Sequence, residues 1–134
     1  MKRRGLPILC GAVAALALST PLIAHHSFAA EFDSDKPVTV KGVITSVRLE
    51  NPHSWFFLDV AAADGKVEKW AFEASTPSSL IRSGFKPGTV KAGDEVTIKG
   101  YHARDAASNA GAGRELVMAD GRAFAIGPQV GPQR

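Results

Sequence analysis

The chain has 134 residues, 45% of them hydrophobic, with 16 Lys plus Arg against 13 Asp plus Glu and a single cysteine. The basic excess lies wholly in Lys2, Arg3 and Arg4; beyond them 13 basic residues face 13 acidic ones, which removes the electrostatic footing of a nucleic-acid partner. One cysteine, Cys10, excludes an internal disulfide, and no apolar run reaches the ~20 residues that a membrane span needs.

Lys2 to Arg4 form a basic start, Leu6 to Leu18 a small-residue-rich apolar run, and Ser19, Thr20 and Pro21 end it. This order is that of a secretory signal, so residues 1–24 are expected to be a signal peptide cut after Ala24 on export to the periplasm. The cut discards Cys10 and makes His25 the first residue, leaving only nitrogen and oxygen donors for any metal. Residues 25–36 are expected to be an arm ahead of a domain spanning 37–126.

Within that domain the stretch from Val38 to Leu49 is rich in β-branched residues and reads as the first strand. Val38 and Val40 share a face, and Val43, Val47 and Leu49 join it if the count slips by one at Gly42, where a bulge or bend is predicted. Asn51, Pro52 and His53 supply a turn. Next, Ser54, Phe56, Leu58 and Val60 alternate with His53, Trp55, Phe57 and Asp59, and Asp64-Gly65 turns a hairpin into Lys66 to Ala74 with Trp70 and Phe72 inward. Thr76 as a cap, Pro77 in the first turn and Gly84 at the end predict a short helix. Lys91 to Tyr101 alternates again with Val96 and Ile98 inward, and Ala103 to Gly113 reads as a small, polar, mobile loop. Glu115 to Ile126 reads as a strand, an Asp120-Gly121 turn and a short return, and 127–134 as a disordered tail.

The order of three strands, a short helix and two strands, with a long bent first strand, predicts a mainly all-β fold. It is that of the five-stranded Greek-key barrel called the OB-fold, with its helix between strands 3 and 4. An immunoglobulin-like sandwich fits less well, since it needs about seven strands and no helix there.

In such a barrel the loops joining strands one to two and four to five flank the usual binding face. His53 falls at the first and His102 at the second, while His25 and His26 sit on an arm whose twelve residues can stretch ~40 Å. A terminal amine with imidazoles offers a largely neutral nitrogen set, suited to a divalent transition metal, with copper ranked ahead of zinc. Each histidine also has a simpler reading: His25 and His26 as an exposed terminus, His53 as a partner of the turn backbone, His102 as structural or solvated. His102 shares the phase of Val96 and Ile98 and points into the barrel unless Gly100 adds a bulge. Trp55 and Phe57, in the outward phase beside Asn51, form either a partner-binding patch or a surface covered by Phe28 and Phe32. Glu31, Asp33, Asp35 and Glu73 read as solvated charge ahead of ligands. No nucleophile stands in a glycine-framed turn, no carboxylates pair and no glycine loop cradles phosphate, so the chain does not read as an enzyme.

Four stretches, HHSFAAEFD from His25 to Asp33, NPHSW from Asn51 to Trp55, WAFE from Trp70 to Glu73 and GDEVTIKGY from Gly93 to Tyr101, together resemble a family of small uncharacterised exported bacterial proteins. The resemblance implies a layout similar to periplasmic OB-fold proteins and carries over His25, His26, Asn51, Pro52, His53 and Trp55 as motif positions without a role. The expected function is a periplasmic, non-enzymatic binding protein, taking a metal through its histidines. The alternatives are a small-molecule or protein-binding module using the aromatics of strand two, or an accessory subunit of an envelope complex.

Overall fold

The computed structural model describes residues 28–127; the expected signal peptide, His25, His26 and the tail from 128 lie outside the described residues. Among the described residues a short helix α1 (Phe28–Glu31) leads into β1 (Phe32–Arg48), followed by β2 (Trp55–Ala61), β3 (Val67–Glu73), helix α2 (Pro77–Arg82), β4 (Glu95–Ala103), β5 (Ala110–Met118) and β6 (Ala123–Ala125). No described helix is long and apolar enough to cross a membrane.

The strands run β3-β2-β1-β4-β5-β6, and β3 also pairs with β5, so the sheet closes on itself as an all-β barrel of the OB type. The closure depends on β1, whose first half pairs with β4 from Phe32 to Val43 while its second half pairs with β2 from Val43 to Arg48. To serve two neighbours at an angle the strand must bend. It does so at a register shift between Ile44 and Ser46, three residues beyond the bulge expected at Gly42. Val40 and Ile44 are buried and Val43 is exposed, so the phase holds through Gly42 and slips at Thr45, after which Val47 turns inward. Gly42 serves a different purpose. A Cβ there would stand 2.6 Å from the Asp59 carbonyl oxygen, so its missing side chain lets β2 cross close by.

The hairpin between β2 and β3 turns at Asp64-Gly65 with Gly65 at φ +82°, and the ladder pairs Phe56 with Phe72. Phe56, Leu58, Phe72, Val96, Ile98 and Leu116 fill the interior, each essentially without exposed surface. α2 begins as its residues dictate, with the Ser79 amide donating to Thr76 Oγ1 at 3.2 Å, Pro77 in the first turn, and Gly84 at φ +92° after the last. Its Leu80 and the following Phe85 join the core, Phe85 meeting Phe56 and Phe124 edge-on at 5.6 and 5.7 Å.

The stretch read as a mobile loop from Ala103 to Gly113 is corrected by the structure. Only 104–109 is loop; Ala110 to Gly113 is strand, and Ala110, Gly111 and Ala112 form the parallel pairing with β3 that closes the barrel. Small residues are required there by packing. A Cβ at Gly111 would stand 2.6 Å from the Tyr101 carbonyl oxygen and one at Gly113 2.7 Å from Ile126.

The turn into β4 carries a carboxylate whose charge is used. Asp94 accepts from the Lys91 amide at 2.9 Å and from its ammonium at 3.2 Å, and these bonds hold its carboxyl below the ordinary range. A carboxylate whose folded pKa is depressed contributes stability that is present above its unfolded value of ~3.9 and lost as pH falls through the folded one. Asp94→Asn is therefore expected to lower the melting temperature at pH 7, with the difference from the parent shrinking once the pH drops below ~4. Melting curves across pH 2–7 test it, and a pH-independent difference rejects it.

Candidate functional site

Strand alternation decides which chemistry-bearing side chains can meet. Phe72 pairs with Gly111, and Gly111 with His102, so Phe72 and His102 share the inner face. One residue along, Glu73 pairs with Trp55 and with Ala112, and Ala112 with Tyr101, which puts these four on the outer face.

His53 stands just ahead of β2, in the outward phase. The turn before it contains a cis Asn51–Pro52 bond, and the ladder beyond the strand ends where Ser54 and Ser75 join, the Ser54 amide donating to the Ser75 carbonyl at 3.1 Å. The His53 ring is thereby laid against Glu73, and Nδ1–H donates to Glu73 Oε1. Glu73 is largely covered, its side chain 13% exposed, whereas His53 keeps 44% of its side-chain surface in solvent. A carboxylate can only accept, so this bond places the proton on Nδ1 and leaves Nε2 with the lone pair in the neutral ring.

The α1 helix packs beside this pair. Phe28 and Phe32 lie 5.4 Å apart, Phe28 meets Tyr101 edge-on at 6.0 Å, and Phe32, Ala103 and Ala112 make a second, small core on the outer face. The Arg114 guanidinium lies over the Phe28 and Tyr101 rings at 4.9 and 5.5 Å, and its burial pulls its pKa below the ordinary value. Between α1, His53, the end of β3 and the start of α2 opens a cleft of about 390 Å³ whose walls include Phe28, Glu31, Phe32, His53, Glu73 and Ser75.

His102 does not join this group. The register shift beside Gly100 falls between Lys99 and Gly100 against β5, and His102 keeps the inward phase of Val96 and Ile98. Its ring meets Trp70 edge-on at 5.7 Å and its Nδ1 bonds the Ala103 carbonyl at 2.7 Å. The sheet wall thus separates it from the outer face that carries His53 and Glu73. Among the described residues no three His, Cys, Asp or Glu side chains are grouped to hold a metal, and His25 and His26 lie outside them.

Trp55 and Phe57 stack at 6.4 Å on the outer face, with the Arg48 guanidinium 5.1 Å over Phe57. Phe28 and Phe32, expected as their cover, pack instead on Tyr101, Ala103 and Ala112, because β1 begins at Phe32 and pairs it with Ala103. Asn51 is exposed in the turn. Glu73 is the partner that sequence reasoning set aside as solvated charge. A signal for it was present, since Glu73 and Trp55 occupy the outward phases of a hairpin whose register the Asp64-Gly65 turn determines.

No curated protein and no solved structure matches this chain. The model of a family of unknown function, DUF6152, matches residues 12–112, a span that takes in His53, Glu73 and every strand through the closing pair of β3 and β5, and the chain belongs to that family.

Proposed function

We propose that this is an exported, periplasmic, non-enzymatic binding protein that takes a divalent transition metal, copper ahead of zinc, at His53 Nε2, with His25 and His26 completing the ligand set. One observation carries the reading: His53 is a partly exposed imidazole whose other ring nitrogen is held by a largely covered carboxylate. Metal-binding histidines have that arrangement, because the carboxylate selects the tautomer, orients the ring and raises the basicity of the ligating nitrogen. The position of α1 supports it further. Phe28, three residues after His25, borders the same cleft as His53, and three residues reach ~10 Å. A donor set of imidazoles with a terminal amine suits Cu(II) and Zn(II), and the affinity order of divalent metals favours copper.

The test is a Cu(II) titration of the secreted protein whose intact mass begins at His25, followed by calorimetry. Sub-micromolar affinity is expected, with near-complete loss in His53→Ala and a weakening of roughly 10–100-fold in Glu73→Gln. Equal millimolar binding by parent and His53→Ala rejects the proposal, as does a secreted chain that begins after His26.

A further inference from the structure

We propose that α1 is a hinged strap that closes the outer-face cleft from one side and opens as a unit, with Arg104 as its latch. Three observations lead there, and none of them uses the metal reading. The first is a hinge. From Pro37 to Val43 each residue of β1 has a partner on β4, and Phe32 has one in Ala103, yet between them Asp33, Ser34, Asp35 and Lys36 stand against His102 alone. A run of extra residues of this kind lies outside the ladder, so the chain can turn there while the rungs on the far side stay in place. The Asp35 amide donates to Asp33 Oδ1 at 3.0 Å, a local turn whose bond does not depend on β4.

The second is the way α1 is held. A helix of four residues has no stability of its own. The end of β4 fastens it. Arg104 donates from Nε to the Ala29 carbonyl and from its amide to the Glu31 carbonyl, the latter at 2.9 Å, while Phe28 packs edge-on against Tyr101. One residue thus grips two carbonyls of the strap. The third is that the apolar surface beneath is separate from the main core. Phe32, Ala103 and Ala112 form a buried cluster of their own, apart from the interior around Phe56, Phe72 and Leu116. Lifting the strap gives up this cluster and leaves the barrel packed, which is the condition for opening at a free energy well below that of global unfolding. Because Phe28, Glu31 and Phe32 are walls of the cleft, the same movement widens it and uncovers Ala112.

The residue-104 amide reports the latch directly, because its acceptor is on the strap. Native-state hydrogen exchange is run in chelator at urea concentrations below the unfolding transition, so that copper binding and strap opening succeed or fail separately. The residue-104 amide is expected to exchange through an opening with little urea dependence, and the Leu116 amide with the steep dependence of global unfolding. Arg104→Ala, at an exposed site, is expected to lower the protection of the residue-104 amide about tenfold. Ile98→Val, in the barrel interior, is the converse: it is expected to lower the protection of the Leu116 amide several-fold and to leave residue 104 unchanged, since its contacts are the same with the strap open or closed. A second reporter reads the cleft. In a Cys10→Ser background Ala112→Cys carries the only thiol, and its labelling by a maleimide is expected to rise about tenfold when Arg104→Ala is added. Residue-104 protection that follows Leu116 at every urea concentration or falls equally in Ile98→Val, or protection and labelling that Arg104→Ala leaves unchanged, would each overturn the proposal.

Discussion

Gly100→Ala is expected to cost on the order of 3 kcal/mol of folding stability or to prevent folding, although it adds a single methyl group. The cause is the closure of the barrel. A Cβ at Gly100 would stand 1.9 Å from the Ala112 carbonyl oxygen and 2.9 Å from its carbonyl carbon, so the clash is with backbone and no side-chain rotation relieves it. Relief requires β4 to move away from β5, and β5 carries the pairing with β3 that closes the sheet. Gly65→Ala provides the contrast. A Cβ there meets nothing within 4 Å, and the cost comes only from φ +82°, about 1 kcal/mol. Urea unfolding of the two variants beside the parent measures both costs, and a Gly100→Ala protein within about 0.5 kcal/mol of the parent would show that the β4–β5 approach is not tight.

Phe72→Ala should be the most damaging truncation of a core side chain, about 4 kcal/mol. Phe72 has no exposed surface and pairs in register with Phe56. It stacks on Trp70 at 5.7 Å with the ring planes 14° apart, and its Cε1 lies 2.8 Å from the place a Gly111 Cβ would take. Truncation leaves a cavity against β5 and strips Trp70 of the ring that supports it, and the closed sheet allows little collapse into the gap. In a Trp55→Phe background, where Trp70 is the remaining tryptophan, the emission is expected to shift to the red together with the loss of stability. A loss below about 1.5 kcal/mol with unchanged emission would mean that the closure rests on other contacts.

The two predictions bear on the candidate site through one strand. Phe72 and Glu73 are neighbours on β3, one facing in and the other out, so the packing that holds the first also sets the position of the second. Loosening the closure at Gly100 or Phe72 is thus a way of loosening the carboxylate that orients His53.

Much of the barrel was legible in the residues because the signals are local. Alternation over β2, β3 and β4, the turns at Asp64-Gly65 and Asp120-Gly121, and the Thr76 to Gly84 helix each rest on neighbours within a few positions. Their order was enough for the OB arrangement. The candidate site was half legible: His53 stood out by its place after a turn and ahead of a strand, and Trp55 and Phe57 by their outward phase.

The remainder was settled by partners distant in sequence. Ala110 to Gly113 has poor intrinsic strand preference and reads as loop, yet it is strand because β3 and β4 lie on either side and their backbones approach too closely for larger residues. The bend of β1 falls at Thr45, where it meets the angle between β2 and β4, and not at Gly42, three residues earlier. Phe28 and Phe32 go to Tyr101 and Ala112 because β1 starts early enough to pair Phe32 with Ala103. His53 meets Glu73 while His102 faces Trp70, since a sheet wall sorts residues by phase. Periodicity along the chain, a short-range property, determined the strands, the turns and the order that makes the barrel. Only the closed sheet decided which side chains share a face, because side-chain contact depends on register between segments that the chain itself does not place side by side.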